Sequence, residues 1–509
     1  MPQGVSIPFW SNGRRKITEK GRKIEQKLLY KRSGAWYTVG RNGNLLQGMS
    51  IGTGTKVRQY LSRRDVDMTS GNVYGLLIRF AIPLLLGNLF QQLYTTVDTW
   101  VVGNYVGKEA FSAVGTVNPI LNMLIGFFMG LSTGAGVVIS QYYGAKQAEK
   151  VSDTVHTALV MTMVLGVVFT AVGVGMTPLM LTFMKTPAEV FPEARTYLSI
   201  YFSGIFGLMV YNMGAGILRA VGDSQRPFYF LVLSASLNIV LDLLFVLAFH
   251  MGVAGVAYAT ILSQGISAVL VLAVLFRADN WCRVSVRKLR IHWDVLKKIV
   301  RVGIPAAIQM AITAFSNVFV QSYINHFGAD CMGGWTAYTK IDAFLFLPMQ
   351  SLAMGATTFV GQNLGVQDVG RARQGVSAAL RISMLITLGI MGPVLLFAPH
   401  LVRFFNDAPE VVRFGTLFLR LITPFYVLCC INQVLAGSLR GAGDSRAPMF
   451  IMLFSFVLFR QIYLFIVTHY ISNTIVPVAM GYPAGWLVCS TVTYLYYRFA
   501  HWERHRVVD

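Results

Sequence analysis

Between residues 74 and 498 the chain alternates long apolar stretches with short polar connections. Twelve stretches have spanning length, because about 20 apolar residues in an α-helix cross the hydrocarbon core of a bilayer. The pattern therefore predicts an all-α polytopic membrane protein with twelve transmembrane helices. The predicted helices are residues 74–101, 111–139, 155–180, 196–218, 228–250, 252–276, 299–325, 335–360, 376–400, 412–437, 449–470 and 474–498.

The composition supports the membrane assignment. Of the 509 residues, 54% are apolar and only 13% are charged, a balance typical of polytopic membrane proteins and unlike that of a large soluble enzyme. The five cysteines show neither a Cys-x-x-Cys pair nor a mixed Cys/His spacing. The sequence therefore predicts no structural zinc site and no disulfide framework.

Basic residues gather on one side of the predicted membrane. Beyond residue 72, 18 Lys and Arg fall in the connections and tail of one side, and about five fall on the other. An excess of Lys and Arg in short loops marks the cytoplasmic side. We therefore expect both termini in the cytoplasm, and the net charge of +21 requires no nucleic-acid partner.

Residues 1–72 carry 14 Lys/Arg and 4 Asp/Glu in a polar, Gly-rich stretch that has no long apolar run. This composition predicts a basic, disordered cytoplasmic tail. The basic part is longer than the n-region of a signal peptide, and Met49 or Met68 would also serve as a start. An accessory role of the tail in binding nucleic acid or anionic lipid remains open.

The two halves of the chain repeat one another at a constant offset, here called the repeat offset, which takes residue 218 to residue 439. Residues 218–227 (Leu-Arg-Ala-Val-Gly-Asp-Ser-Gln-Arg-Pro) return as residues 439–448 (Leu-Arg-Gly-Ala-Gly-Asp-Ser-Arg-Ala-Pro), and 141–144 map onto 362–365. Six helices are repeated once, and because six is even the two repeats run parallel. The predicted lobes are residues 73–276 and 299–498, joined by a basic cytoplasmic linker at 277–298 and followed by a cytoplasmic tail at 499–509.

The repeated motif is typical of a helix end followed by a new helix. Gly suits the position just after a helix, Asp suits the turn, and Pro opens the next helix. We expect the arginines to pair with the aspartates at the cytoplasmic face and to act as hinges of lobe movement rather than as substrate ligands. The predicted hinge residues are Arg219, Gly222 and Asp223, with their repeats Arg440, Gly443 and Asp444.

Asp242 is the most unusual residue of the apolar segments. A charge near the middle of a membrane costs about 2.5–3.5 kcal/mol, so such an acid usually faces a partner, a cavity or an ion. Asn238 lies one helical turn earlier on the same face. The helical rise places Asp98 and Thr260 in the same outer half of the N-terminal lobe. These four oxygen-bearing side chains predict a site for Na⁺ or a shared proton, although Asp98 alone would also suit an interfacial acid.

Two features of the N-terminal lobe allow more than one interpretation. Pro83 lies inside the first helix, where it removes a backbone hydrogen bond and permits either a static kink or a conformational bend. Gly126, Gly130 and Gly134 follow one another at four-residue spacing in the second helix, which favours close packing against another helix.

The C-terminal lobe lacks the acidic cluster, since Asn238 and Asp242 map onto Phe459 and Tyr463. Its charged residues either pair with one another or contact a polar or anionic substrate in a cleft. These residues are Lys340, Asp342, Arg381, Arg420 and Arg460. Aromatic and Met side chains suit flat apolar cations, although packing explains them equally well. The predicted cleft residues are Lys340, Asp342, Met209, Tyr211, Met310 and Phe346.

From residue 68 to 498 the sequence resembles the multidrug and toxic compound extrusion (MATE) transporters of prokaryotes. The resemblance rests on Pro83 followed by Asp98, on the Asn238-x-x-x-Asp242 pair with Thr260 beyond it, and on the doubled Leu-Arg-x-x-Gly-Asp motif. It implies a V-shaped protein of two six-helix bundles in a bacterial inner membrane. It also implies that Asp98, Asn238, Asp242 and Thr260 bind Na⁺ or H⁺, and that the first helix bends at Pro83. Residues 1–67 depart from the family pattern.

The resemblance favours a secondary active efflux transporter that exchanges Na⁺ or H⁺ for an organic, cationic, drug-like compound by alternating access. We expect no cofactor beyond this coupling ion, a monomer, and membrane lipid and a small organic substrate as partners. A lipid-linked oligosaccharide flippase of the related two-lobed group is an alternative, supported by Lys340, Arg381, Arg420 and Arg460. An integral membrane enzyme would need a convergent catalytic set, and the sequence has neither a His-rich cluster nor a His-Glu-x-x-His motif.

Overall fold

The computed structural model describes residues 28–32, 35–39, 45–49 and 66–508. The first three ranges form a separate unit, a small antiparallel sheet of β1 (Leu28–Arg32), β2 (Ala35–Val39) and β3 (Leu45–Met49) in the order β1-β2-β3. The prediction of a disordered tail over residues 1–72 is therefore wrong for these three segments and for residues 66–72, where Met68 is fully buried. Its remainder up to residue 65 lies outside the described residues. The segments Leu-Leu-Tyr and Ala-Trp-Tyr-Thr-Val contain aromatic and β-branched residues that favour strands. The prediction gave more weight to the high overall charge of the tail than to these short segments.

Residues 66–508 form a bundle of α-helices. The first nine are α1 (Val73–Val101), α2 (Lys108–Gly144), α3 (Ala148–Phe183), α4 (Phe191–Ala220), α5 (Gln225–Leu243), α6 (Gly252–Phe276), α7 (Trp293–Asn325), α8 (Ala329–Gly365) and α9 (Val369–Leu396). They are followed by α10 (Ala398–Arg403), α11 (Pro409–Ile422), α12 (Tyr426–Ala442), α13 (Arg446–Met452), α14 (Arg460–Ile466), α15 (Ile475–Ala479) and α16 (Gly481–Phe499).

The last three predicted spans are each built from more than one helix. The tenth span, Pro409–Ala442, joins α11 and α12 through a 3₁₀ turn at Thr423–Phe425. The eleventh, Arg446–Ile471, joins α13 and α14 through a π-helical segment at Leu453–Phe459, and the twelfth is Ile475–Phe499. In the described part of the chain, eleven helices are long and apolar enough to cross a membrane, and α7 is not among them.

α7 begins at Trp293, six residues before its predicted start. Its first turns carry Asp294, Lys297 and Lys298 and therefore take in the end of the predicted basic linker. The rest of that linker is held against α3, because Ser285 N donates to His156 Nε2 at 3.0 Å and His292 N donates to Thr157 Oγ1 at 3.1 Å.

The first helix of each repeat packs across onto the other repeat. α7 lies along α2, where a Cβ atom at Gly130 or Gly134 would overlap the backbone of Ala307 or Gly303. α1 lies against α8 and α9, and Leu77 and Phe80 join a buried cluster with residues of those helices. The glycine ladder therefore serves close helix packing, as its spacing predicts, but the packing joins the two repeats rather than two helices of one lobe.

Candidate functional site

The candidate ion site lies between α1 and α5. The carboxyl groups of Asp98 and Asp242 lie close enough to interact electrostatically with each other. Asn238, one turn before Asp242 on α5, is 1% exposed and Asp242 is fully buried. Two carboxylates close to each other repel unless a proton or a cation lies between them. The sequence prediction that these three side chains belong together therefore agrees with their placement.

Several polar atoms of this cluster have no hydrogen-bond donor or acceptor from the described part of the chain. They are Asp98 Oδ1, both carboxylate oxygens of Asp242, and Oδ1 and Nδ2 of Asn238. A buried polar atom without a partner is costly, so the cluster calls for an ion, a proton or water. Carboxylate and amide oxygens are the ligands that hard cations such as Na⁺ prefer.

Thr260 belongs less clearly to this cluster. It is buried on α6, which packs against α5, and its hydroxyl donates to the Val256 carbonyl of its own helix at 3.0 Å. Three tyrosines at this site were missed by the sequence analysis. Tyr94, Tyr197 and Tyr201 interact electrostatically with one another, and Tyr94 and Tyr197 also interact with both acids. Tyr94 lies one turn before Asp98 and could have been recognised, whereas the two tyrosines of α4 gave no local signal.

A central cavity of about 650 Å³ lies between the two repeats. Its volume is in the range of sites for drug-sized ligands. Gln92 of α1 lines this cavity, whereas Asp98 and Asp242 do not. Its walls come from α1, α2 and α4 of the first repeat and from α7, α8, α12 and the eleventh and twelfth spans of the second. Lining residues include Gln92, Asn122, Met129, Gln309, Thr313, Gln350, Thr357, Asn432, Met452, Phe456, Tyr482 and Trp486.

The turns at Gly222 and Gly443 lie at one end of the bundle, here called the motif end. At this end, hydrogen bonds hold the two repeats together. Gln141 Nε2 donates to the Gly441 carbonyl at 2.9 Å, and Gln362 Nε2 donates to the Ala220 carbonyl at 2.9 Å. The repeat offset takes Gln141 to Gln362 and takes Ala220 to Gly441. The repeat thus produces a reciprocal pair of hydrogen bonds that closes the cavity at the motif end.

Chain segments outside the repeats complete this closure. Met68 N, just before α1, donates to Gln362 Oε1 at 2.9 Å. Val507 N, after α16, donates to Gln141 Oε1 at 2.6 Å. Each glutamine therefore holds the opposite repeat with its amide nitrogen and a terminal segment with its oxygen.

The sequence pattern of the MatE family matches residues 83–244 and, a second time, residues 305–466. This chain belongs to the MATE family. Its relatives include the probable multidrug resistance protein YpnP of Bacillus subtilis (strain 168), which is 31% identical over 86% of this chain and 97% of the relative. The probable multidrug resistance protein NorM of Thermotoga maritima is 27% identical over 89% of this chain and 97% of the relative.

Solved structures show the same fold. A MOP superfamily transporter from Pyrococcus furiosus Vc1 (DSM3638) superimposes with a TM-score of 0.81 at 26% identity, covering 86% of this chain and 98% of that one. The outward-facing conformation of a multidrug resistance MATE family transporter gives the same values. The chain is therefore a multi-pass membrane transporter of the MATE fold with two repeats.

Of the predicted cleft residues, Asp342, Met310 and Phe346 line the cavity of this MATE chain. The other three lie elsewhere. Lys340 is exposed on α8, and Met209 is 3% exposed within the hydrophobic core of the first repeat. The Tyr211 hydroxyl donates to the Pro227 carbonyl at 3.2 Å. Which helix face meets the cavity depends on how the repeats pack, so the sequence alone could not separate the three lining residues from the other three.

The predicted pairing of the motif arginines with the motif aspartates is wrong. Asp223 pairs instead with Arg226 at 3.3 Å, and Asp444 accepts from the Tyr496 hydroxyl at 2.6 Å. Arg219 and Arg440 both line the cavity at its motif end. Their helices run on for one or two residues beyond them, so the side chains project back along the helix and away from the turn.

The remaining arginines of the C-terminal repeat separate into two groups. Arg381 and Arg420 are exposed outside the cavity, and Arg381 Nη1 donates to the Tyr74 hydroxyl at 3.0 Å. Arg460 lines the cavity and is 2% exposed. Its Nη2 donates to Ser316 Oγ at 2.5 Å and to Asn317 Oδ1 at 3.1 Å, and its guanidinium lies 4.8 Å from the centre of the Tyr482 ring.

The letters of residues 130–134, Gly-Leu-Ser-Thr-Gly, match the pattern around the nucleophile of serine hydrolases. That pattern requires a sharp turn between a strand and a helix, whereas here it lies inside the continuous helix α2. Ser132 Oγ donates to the Asn212 carbonyl at 2.7 Å. The segment packs helices and does not present a nucleophile.

Proposed function

We propose that this MATE protein exports an organic compound by exchanging it for Na⁺ or H⁺. The observation that carries the proposal is the proximity of Asp98 to the buried Asp242, which lies one turn from the buried Asn238. Oxygens of all three side chains are satisfied by no described protein group. Asp98, Asn238 and Asp242 would hold the coupling ion, and Thr260 stands on the neighbouring helix as a further oxygen. The membrane potential adds about 2.3 kcal/mol per charge for each 100 mV to such an exchange.

α1 connects the ion site to the cavity and can transmit a conformational change between them. Asp98 lies in the ion site, Gln92 lines the cavity, and the opposite end of the helix, around Leu77 and Phe80, packs on α8 and α9. Pro83 lies between these regions inside a continuous helix. Loading the ion site changes the contact between α1 and α5, and a bend at Pro83 would pass that change to the helix contacts with the second repeat.

The exchange we propose proceeds by alternating access. The reciprocal hydrogen bonds of Gln141 and Gln362 hold the motif end closed, and the positive-inside pattern assigns that end to the cytoplasm. In this assignment the structure represents the state after the cytoplasmic entrance has closed. Structures similar to this chain include MATE in a bent and in a straight conformation. These two conformations support the proposal that the protein changes shape during exchange.

The relatives' names support a drug-like substrate. YpnP and NorM are each described as a probable multidrug resistance protein. Of the four cationic residues named for the flippase alternative, Lys340, Arg381 and Arg420 lie outside the cavity and only Arg460 lines it. Binding of a cationic compound, as the sequence predicts, would depend on Asp342, which lines the cavity. Since one chain holds both sites, we expect a monomer to be the unit of exchange.

Purified protein in liposomes tests the proposal. Uptake of a panel of fluorescent organic compounds is measured with a Na⁺ gradient and a pH gradient imposed separately. Uptake that responds to one gradient identifies the coupling ion. Uptake that proceeds equally without any gradient, with the protein folded and inserted, would overturn the exchange mechanism.

A further inference from the structure

The charges that line the central cavity are mainly positive. Arg219, Arg440 and Arg460 face it, and Asp342 is the acidic residue among the lining side chains. In the described part of the chain, none of these arginines forms an ion pair with Asp or Glu. The cavity therefore carries an excess of fixed positive charge that the protein does not neutralise.

Arg219 and Arg440 occupy equivalent positions, because the repeat offset takes one to the other. Each precedes by one residue the carbonyl that accepts the reciprocal bond, Ala220 or Gly441. Both repeats thus contribute one guanidinium to the closed end of the cavity. Asp342 stands about 16 residues before the cavity residue Thr358 on α8, a separation of about 24 Å along the helix axis toward the opposite end.

The Arg440 side chain is only partly satisfied by the protein. It is 7% exposed, and its Nη1 donates to Gln309 Oε1 at 3.2 Å. Its Nε has no acceptor within the described residues. Arg219 is half-buried and, in the same part of the chain, makes no hydrogen bond to a side chain. Both guanidinium groups therefore have donors left for a ligand.

An uncompensated charge in a membrane-embedded cavity is costly, and in membrane proteins it usually marks a substrate pathway. Arginine presents a planar fork that binds a carboxylate, sulfonate or phosphate through two parallel hydrogen bonds. Two such forks at one end of a cavity form a receptor for an anionic group. Met and aromatic side chains elsewhere in the cavity wall, including Met310 and Phe346, provide an apolar surface for the uncharged part of the ligand.

We propose that the central cavity selects organic anions, with Arg219 and Arg440 binding the acidic group of the compound. The proposal rests on the export function above and names its substrate class. It replaces the cationic compound expected from the sequence, because Asp342 is outnumbered in the cavity and lies away from the closed end. Arg460 is held by Ser316 and Asn317 and adds to the positive potential without being the main ligand.

Fluorescein and rhodamine 123 test the charge preference, since they share a xanthene ring system and carry opposite charge. Binding of each to purified protein is measured by fluorescence polarisation at equal ionic strength and without an ion gradient. We expect fluorescein to bind at least about tenfold more tightly than rhodamine 123. Equal binding of the two dyes, or tighter binding of rhodamine 123, would overturn the proposal.

Three variants locate the anion site. Arg219→Gln and Arg440→Gln should each weaken fluorescein binding by about tenfold, as expected for losing a charge-assisted hydrogen bond. The matched control Arg420→Gln removes an exposed arginine outside the cavity and should leave binding unchanged. Equal losses in all three variants would show a general charge effect and would contradict the assignment to Arg219 and Arg440.

A charge-reversal variant distinguishes loss of the anion site from poor folding. Arg219→Glu should lower fluorescein affinity and raise rhodamine 123 affinity, a gain that a damaged protein cannot show. Rhodamine 123 affinity that does not rise in a variant with normal thermal stability would contradict the proposal.

Binding and gradient-driven transport separate this proposal from the proposed function. Arginine-dependent fluorescein binding with transport indifferent to ion gradients would leave the anion site standing and would overturn ion exchange. Gradient-driven transport of rhodamine 123, with fluorescein binding unaffected by the arginine variants, would overturn the anion site and leave ion exchange standing.

Discussion

The two repeats place different chemistry at the same location, between their first and fifth helices. In the first repeat, Asp98 of α1 meets Asp242 of α5 beside Asn238. In the second, Ser316 and Asn317 of α7 accept hydrogen bonds from Arg460 of the eleventh span. The first cluster contains two acids with oxygens that no described protein group satisfies, whereas the second contains its own cation.

The difference indicates which half can respond to an ion. A carboxylate pair changes its interaction energy when a proton or Na⁺ binds or leaves. A guanidinium stays charged at any physiological pH, so the contact between α7 and the eleventh span does not depend on protonation. We therefore expect the first repeat to contain the switch and the second to contain a fixed counterpart that keeps its lobe rigid.

The largest effect is expected from removing the acid at the centre of the switch. Asp242→Asn should abolish ion-dependent export, because the site then loses the carboxylate that holds the coupling ion, and the gradient and membrane potential act on that ion (about 2.3 kcal/mol per charge for 100 mV). Gradient-driven uptake into proteoliposomes measures the effect. Asp330→Asn, the same change at an exposed position of α8, serves as the control. Ion-dependent export by the Asp242 variant at normal protein levels would remove the cluster from the mechanism.

Removing the fixed cation should instead affect stability. Arg460→Ala loses hydrogen bonds to Ser316 and Asn317 and the contact with the Tyr482 ring, so we expect destabilisation by about 2 kcal/mol. Thermal unfolding in detergent measures it, with Arg420→Ala as the exposed control. The Na⁺ or pH midpoint of any remaining transport should stay unchanged. A shifted midpoint would mean that both halves sense the ion, and the contrast between the repeats would fail.

The motif end should respond symmetrically, since its two hydrogen bonds are equivalent. Gln141→Leu and Gln362→Leu should each favour opening by about 1 kcal/mol, or roughly a fivefold change in population. Spin labels at Lys146 and Gln367, which are exposed and related by the repeat offset, report the distance between the repeats. Gln374→Leu on the exposed face of α9 is the control. Opening in only one of the two variants would show that the closure is not reciprocal.

The smallest effect is expected at the prolines. Pro83→Ala should slow export by about threefold, or ~0.7 kcal/mol on the barrier, because prolines within membrane helices are partly compensated by neighbouring groups. Pro305→Ala, one residue beyond the position of α7 that the repeat offset pairs with Pro83, should leave the rate unchanged if only α1 transmits the ion signal. Initial transport rates at saturating gradient compare the two. A larger loss at Pro305 would move the switch to the second repeat.

Much of the architecture follows from local pattern. The alternation of apolar and polar stretches predicts the helices with bounds that differ by up to seven residues, and the constant repeat offset predicts two parallel repeats. Spacing of four residues also puts Asn238 and Asp242 on one face of α5. The error at the hinge motif has a clear cause. Arg219 and Asp223 are neighbours in sequence, but Asp223 takes Arg226 as its partner, and the direction of the Arg219 side chain is set by the helix before the turn.

The sequence by itself determined the membrane-spanning helices, the duplication and the acidic pair of the first repeat, because helical period, apolar length and buried charge are local properties. The tertiary structure decided that α1 and α7 cross onto the opposite repeat and that Gln141 and Gln362 close the motif end. It also decided that Arg219 and Arg440 face a shared cavity. These features depend on how the two similar bundles pack against each other. The spacing of residues within one helix does not show which of its faces will contact the other bundle.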